Sequence, residues 1–221
     1  MKKTISFLII GPQGAGKGTQ AKILAKKLNL AYFSMGEELK KIRDSNTKLG
    51  KKGRYYYDRG LLWPETLVKQ VFVQAIKRLD LKNGIVFEGY PRTLYQVKMF
   101  NPVIKKYQIE TPWVIYLKVS QKTVWQRIAQ RKICPSCGRA FYPQDKDYKK
   151  QICLKCKQRL ITRPDDSNEV VKKRLNVFKQ KTKPLIDYYQ KQNRLIEING
   201  ELSIKEVTKE IFNKLKTKGI I

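Results

Sequence analysis

A glycine-rich stretch with one lysine, GPQGAGKGTQ, begins at Gly11 and has the residue types that bind phosphate groups. Glycine lacks a Cβ atom, so such a loop can turn successive main-chain N–H groups towards phosphate oxygens. The pattern is Gly11, four residues, Gly16 and Lys17, and the lysine adds a full positive charge. The hydroxyl that usually follows the lysine comes one position later, at Thr19, because Gly18 intervenes. An apolar run before the loop and a helical pattern after it predict a nucleotide phosphate-binding loop.

Four cysteines form two Cys-x-x-Cys pairs, an arrangement typical of structural zinc sites. The pairs are Cys134 with Cys137 and Cys153 with Cys156, and the fifteen residues 138–152 separate them. Each pair can direct two sulfur atoms to one ion, and four thiolates leave no coordination position open for a substrate. Two disulfide bonds and free thiols are the alternatives. We predict one structural zinc ion without a catalytic role.

The elements that position these motifs are predicted to alternate between strand and helix. Strand-like runs rich in β-branched or aromatic residues occupy residues 5–10, 31–34, 85–90, 113–119 and 194–198. Helical patterns with one apolar face occupy residues 17–28 and 65–79 and follow Ser167 and Ser203. Parallel strands require crossover connections of this kind, so we expect an α/β fold with a parallel sheet covered by helices on both faces.

Two segments interrupt the alternation and are expected at the working edge of the sheet. Residues 34–63 carry four of the thirteen glycines, and residues 129–166 contain all four cysteines. We therefore divide the chain into a core and two insertions. The core consists of residues 1–33, 64–128 and 167–221.

The composition is strongly basic, with 48 Lys and Arg, 18 Asp and Glu, no histidine and a formal net charge of +30. This charge suits nucleic acid, an anionic membrane or a polyanionic small substrate. Lysine pairs are spread along the whole chain, which favours a solvated surface over a dedicated nucleic-acid site. The first apolar run ends at Gly11, and no run approaches the ~18 residues that cross a bilayer. We expect a cytoplasmic protein that binds no membrane, and nucleic acid only non-specifically.

The phosphate loop and six further motifs resemble those of the adenylate kinase family, enzymes that move a phosphoryl group from ATP to AMP. The loop is similar to the family pattern GxPGxGKGTQ. The other matches, in chain order, are SMGEELK (34–40), EGYPRT (88–93), RIAQR (127–131), ITRPDD (161–166), KKRL (172–175) and KPLIDYY (183–189). The resemblance covers nearly the whole chain. It implies a P-loop core with five parallel strands, an insertion at 34–63 that binds the nucleoside monophosphate (NMP), and a mobile lid at 129–166.

The resemblance implies a role for each matched residue on the donor side. Mg²⁺ would accompany ATP, held by Thr19 and, through water, by Glu88, and Arg127 would lie beside the ATP base. The implied ATP-binding residues are Gly11, Gly14, Ala15, Gly16, Lys17, Gly18, Thr19 and Arg127. Phosphoryl transfer requires positioning and charge neutralisation, which suits the planar fork of arginine. The implied catalytic residues are Lys17, Arg92, Arg131, Arg163 and Arg174.

The implied acceptor is AMP, and ATP, AMP and ADP are the implied ligands of a monomer. The implied AMP-binding residues are Met35, Lys40, Gly89, Arg92, Gln96, Arg163 and Arg174. The amide of Gln96 could pair with the edge of adenine or, flipped, with guanine. A kinase for another nucleoside monophosphate therefore stays open. A nucleic-acid-associated P-loop protein is the alternative from a different class.

Four residues depart from the family pattern. Gln13 replaces Pro in the loop, Met35 replaces Thr, Lys40 replaces Arg and Glu88 replaces Asp. Lysine at position 40 keeps the charge but lacks the bidentate fork, which predicts weaker binding of AMP. Glutamate at position 88 keeps the carboxylate and reaches one methylene further.

Two aspartates, Asp165 and Asp166, follow Arg163 just before a predicted helix. Their carboxylates could cap that helix near Ser167. The resemblance implies a lid hinge in which they meet lid cations or the ATP ribose when the lid closes and excludes water. The two roles are compatible with each other.

Overall fold

The computed structural model describes residues 4–163 and 166–221, and the predicted hinge residue Asp165 lies outside them. The strands are β1 (Ile5–Ile10), β2 (Ala31–Ser34), β3 (Gly84–Glu88), β4 (Trp113–Lys118), β5 (Lys132–Ile133), β6 (Ala140–Phe141), β7 (Ile161–Thr162) and β8 (Leu195–Asn199). The helices are α1 (Lys17–Leu28), α2 (Met35–Arg43), α3 (Lys48–Asp58), α4 (Glu65–Ile76), α5 (Leu94–Lys106), α6 (Gln121–Gln130), α7 (Lys146–Lys150), α8 (Asn168–Val177), α9 (Lys183–Lys191) and α10 (Ile204–Thr217). A π-helical turn, Phe178–Thr182, joins α8 to α9.

Five strands form one parallel sheet in the order β2-β3-β1-β4-β8. These are the five predicted strands. The central strand β1 places Phe7 opposite Trp113 of β4 and Ile5 opposite Gly84 of β3. Helices connect the strands and cover both faces, so the prediction of a P-loop-type five-stranded parallel sheet with helices on both faces is confirmed.

Alternate residues of β1 enter two separate hydrophobic cores. Leu8 and Ile10 pack on one side with residues of α4, α5 and α9. Phe7 and Ile9 pack on the other side with residues of α1 and α10. A strand buried on both faces is apolar at nearly every position, which explains the continuous run in the sequence.

The two insertions have secondary structure of their own. Residues 34–63 contain α2 and α3, and residues 129–166 contain α7 and a small antiparallel sheet in the order β6-β5-β7. Gly53 of α3 lies against the ring of Trp63, where a Cβ atom would clash. Within the described residues, no helix is both long and apolar enough to cross a bilayer.

Tyr189 of α9 carries a buried hydroxyl group that has no hydrogen-bond partner among the described residues. Burial also raises the pKa of this phenol. An unpaired buried hydroxyl costs free energy, so we expect Tyr189→Phe to raise the free energy of unfolding by about 0.5–1.5 kcal/mol. Urea denaturation measures this change. Tyr95→Phe is the control, because Tyr95 is 56% exposed. A decrease in stability for Tyr189→Phe would contradict the expectation.

Candidate active site

The phosphate loop connects the C-terminal end of β1 to the N-terminus of α1. Gly14 and Gly16 have φ angles of +79° and +87°, in the left-handed region that residues with a Cβ atom rarely adopt. Gly16 is also the N-terminal cap of α1 and has no side chain to occupy the first-turn N–H groups. These N–H groups and the helix dipole favour an anion at the loop.

Lys17 is half-buried, and its Nζ donates to a main-chain oxygen of the loop at 2.8 Å. Burial lowers the pKa of Lys17 to about 8. The negative charge of Glu88 opposes this lowering, whereas the positive charges of Arg92, Arg131 and Arg163 add to it. The structure therefore brings the predicted lysine and three predicted arginines into one electropositive site.

Asp166 joins the 129–166 insertion to the phosphate loop. Its carboxylate accepts hydrogen bonds from Nε and Nη2 of Arg131, the first at 2.9 Å, and both side chains are almost fully buried. Gln13 donates from Nε2 to the same carboxylate at 3.0 Å, and its Oε1 accepts from Nη1 of Arg174 at 3.4 Å. Asp166 thus meets an arginine, and Ser167 is the cap residue of α8. Gln13, which replaces the proline of the family pattern, thus contacts both Asp166 and Arg174.

Tyr57 of α3 meets two predicted arginines. Its phenol oxygen accepts from Nη2 of Arg163 at 3.0 Å and from Nε at 3.3 Å. Its main-chain oxygen accepts from Nη2 of Arg174 at 3.3 Å. Tyr57 was not among the residues predicted from the sequence, because it lies in a run of three tyrosines that matches no motif.

Arg92 and Gln96 share a network beyond the end of β3. Arg92 donates from Nε to the main-chain oxygen of Gly89 at 2.8 Å, and burial lowers its pKa. The main-chain N–H of Arg92 donates to Oε1 of Gln96 at 2.6 Å, and Nε2 of Gln96 donates to Glu65 at 2.7 Å. These partners fix the orientation of the amide, which the sequence left open. They leave it one N–H and one lone pair for a nucleotide base.

The residues predicted to hold Mg²⁺ offer the oxygen ligands that this ion prefers. Glu88 ends β3, and its Oε2 accepts from Oγ of Ser34 at 2.7 Å. Thr19 is exposed in the first turn of α1. The hydroxyl and the carboxylate fit a magnesium ion bound with nucleotide phosphates.

Three predicted residues lie at the margins of this cluster. Met35 is 2% exposed and packs in the hydrophobic core. Lys40 is half-buried, and its Nζ lies near the first cysteine turn, 3.5 Å from where a Cβ atom of Gly138 would be. Arg127 is half-buried, and its Nη2 donates to the main-chain oxygens of residues 201 and 202 at 3.2 and 3.4 Å.

The sulfur atoms of Cys134, Cys137, Cys153 and Cys156 lie within 4.8 Å of one another. The Sγ atoms of Cys137 and Cys153 are 4.0 Å apart, about twice the length of a disulfide bond. Zinc with Zn–S bonds near 2.3 Å separates tetrahedral sulfur ligands by about 3.8 Å, so the cluster suits a structural zinc ion. All four cysteines are unpaired, which contradicts the disulfide alternative.

Comparisons with known proteins agree with this geometry. A family model described as adenylate kinase matches residues 9–194. The chain is 34% identical over 212 residues to the adenylate kinase of Acetivibrio thermocellus, covering 95% of this chain and 97% of that protein. It is 37% identical over 214 residues to the adenylate kinase of Petrotoga mobilis, covering 96% and 97%. It is 36% identical over 216 residues to that of Thermosipho africanus, covering 96% and 100%. The motif-based prediction is therefore confirmed, and the chain belongs to the adenylate kinase family.

Proposed function

We propose that the protein transfers the γ-phosphoryl group of ATP to AMP in a reversible, Mg²⁺-dependent reaction that gives two ADP. The observation that carries this proposal is the convergence of five cationic side chains beside the phosphate loop. Arg92, Arg131 and Arg163 act electrostatically on Lys17, and Arg163 and Arg174 act on Arg92. Such a group of like charges is suited to the phosphates of two nucleotides held in line.

On the donor side, the loop N–H groups and Lys17 bind the β- and γ-phosphates of ATP in this proposal. The guanidinium of Arg127 lies beside the base. Thr19 and, through water, Glu88 would hold Mg²⁺, which would supply charge neutralisation at the phosphates. Arg131, oriented by the carboxylate of Asp166, faces the transferring group.

On the acceptor side, residues 34–63 form the NMP-binding domain and Arg92 binds the phosphate of AMP. Gln96 uses its remaining N–H and lone pair for the adenine edge. Residues 129–166 form a lid that closes over both nucleotides, so that Arg163 meets the phosphoryl group and water is excluded. The hydrogen bonds from Arg163 to Tyr57 support closure, because they join a residue of the lid to the NMP-binding domain.

We further propose that the cysteine cluster holds one zinc ion that orders the lid. Among the residues that the structure describes, the four thiolates have only a small apolar cluster around them, in which Phe141 and Leu160 are the buried apolar neighbours. Thiolate ligands persist in a reducing compartment, which supports a cytoplasmic location. One chain supplies the whole set of proposed site residues, which supports a monomer.

Quantification of nucleotides tests the proposed function directly. ATP and AMP are incubated with the protein and Mg²⁺, and the nucleotides are separated by anion-exchange chromatography. We expect two ADP for each ATP consumed, no inorganic phosphate, and dependence on AMP. ATP loss without AMP, or release of phosphate, would instead indicate hydrolysis.

Replacing Lys40 by arginine tests the acceptor side. Arginine restores a second parallel N–H bond to the AMP phosphate, so we expect the KM for AMP to fall about two- to tenfold, the worth of roughly 0.5–1.5 kcal/mol. Turnover should change little if the bond is equally strong in the ground and transition states. Lys41→Arg is the control, because Lys41 is exposed and pairs with Glu38. An unchanged or higher KM for Lys40→Arg would contradict a phosphate contact at this position.

A further inference from the structure

The ring of Tyr57 is surrounded by three guanidinium groups. The Cζ atoms of Arg43, Arg174 and Arg163 lie 4.1, 5.3 and 5.9 Å from the ring centroid. A guanidinium within about 6 Å of an aromatic centroid is attracted by the negative face of the ring. Three like charges at this spacing repel one another, so the ring supplies attraction that holds them together.

The phenol oxygen of Tyr57 adds orientation to this attraction. It accepts from two nitrogen atoms of the Arg163 fork, while the main-chain oxygen of the same residue accepts from Arg174. A guanidinium held at two donors cannot turn freely about the end of its side chain. A residue of α3 therefore constrains the plane of Arg163.

The three arginines come from separate parts of the chain. Arg43 ends α2, Arg163 follows β7, and Arg174 lies within α8. Tyr57 contacts all three from the last turn of α3, so the arginines can adopt this arrangement only when α3 lies close to Arg163 and to α8. Closure of residues 34–63 over the acceptor is thereby linked to the orientation of Arg163 and Arg174, the arginines proposed for the transferring phosphoryl group.

We propose that Tyr57 is a positioning residue for phosphoryl transfer, which orients Arg163 and holds Arg174 when the acceptor segment closes. The proposal rests on the proposed function, because it assigns these arginines to the transferring phosphoryl group. Tyr57 takes no part in bond making or breaking. Its contribution is the pre-organisation of cations for the charge that develops on the phosphoryl oxygens.

Steady-state kinetics of Tyr57→Phe with ATP and AMP test this proposal. Phenylalanine keeps the ring and removes the phenol oxygen, so the fold and the ring contacts remain. We expect kcat to fall about tenfold, within the range for loss of hydrogen bonds to a charged group. The KM values for ATP and AMP should change by less than about threefold, because an interaction made only in the transition state alters kcat.

The neighbouring tyrosines provide matched controls. Tyr55→Phe should leave kcat unchanged, since Tyr55 is 51% exposed and its ring contacts Arg59. Tyr56→Phe should also leave kcat unchanged, since Tyr56 packs beside Trp63. All three variants should have the melting temperature of the parent protein, which separates positioning from a loss of stability.

A double-mutant cycle with Arg163→Lys shows whether Tyr57 acts through Arg163. Lysine keeps the charge but has no planar fork to be oriented, so Tyr57→Phe should cost less than about threefold in this background. A kcat for Tyr57→Phe within twofold of the parent, or a full tenfold loss in both backgrounds, would overturn the positioning role. Absence of turnover in the parent protein would overturn the proposed function and this proposal together, whereas an active parent isolates the role of Tyr57.

Discussion

Replacement of Lys17 by alanine should reduce kcat by more than about a thousandfold, a loss of more than roughly 4 kcal/mol of transition-state stabilisation. Lys17 follows the glycine loop, and its charge lies among Arg92, Arg131 and Arg163 at the proposed phosphate site. Alanine removes the charge and keeps the helix. Coupled assays of ADP formation measure the change. Retention of more than a tenth of the parental kcat would contradict the assignment of the loop.

The same substitution should leave the fold stable. The pKa of Lys17 is about 8 in the folded protein and near 10.5 in the unfolded chain, so the unfolded chain binds this proton more tightly. Charged Lys17 therefore lowers the free energy of unfolding below pH 8. This destabilisation decreases as the pH rises from 8 to 10.5. Lys17→Ala should show no loss of unfolding free energy at pH 7. Lys26→Ala, at an exposed position of the same helix, is the control that should keep full activity.

Loss of the metal should produce the largest effect on stability. We expect one zinc ion per chain by metal analysis, and a fall in melting temperature of about 8 °C when Cys134 is replaced by serine, equivalent to roughly 2–4 kcal/mol. Cys134 is fully buried with Cys153, so the lid has little apolar material to replace the lost ligand.

Lys155→Ala is the control for the metal site, because it changes the second cysteine turn at an exposed position without removing a sulfur atom. Its melting temperature and zinc content should match those of the parent. Protein that contains no zinc, or a Cys134→Ser variant as stable as the control, would contradict a structural metal.

The core sheet could be predicted because β1 and β3 are buried on both faces and have continuous apolar sequences, and because β8 alternates buried and exposed residues as a half-buried strand does. The insertions could not be predicted in the same detail. β5, β6 and β7 have two residues each, which is too short for any periodicity. α3 contains Gly50 and Gly53, which disfavour a helix, yet the ring of Trp63 fills the space beside Gly53. The helix predicted over 65–79 ends at Ile76 in the structure. The prediction extends three residues too far because the sequence has no distinct stop signal there.

The residues of the candidate site that lie in local sequence motifs could be predicted. Lys17 follows glycines in a fixed pattern, and the arginines occur in recognisable motifs. The partners of these residues were not predictable, because they come from distant positions. Gln13 and Asp166 are 153 residues apart, and Tyr57 and Arg163 are 106 apart. Only the folded chain brings such pairs within hydrogen-bonding distance.

Comparison of the alternative acceptors tests the central claim most directly. kcat/KM is measured with ATP and Mg²⁺ for AMP, GMP, CMP and UMP under identical conditions. We expect AMP to give the highest value, because the family model and the relatives that this chain matches are adenylate kinases, and Gln96 with the EGYPRT motif resembles the adenine-accepting form of that family. The highest kcat/KM with GMP, CMP or UMP, or no ADP formed from ATP and AMP, would contradict the assignment of this chain as an ATP:AMP phosphotransferase.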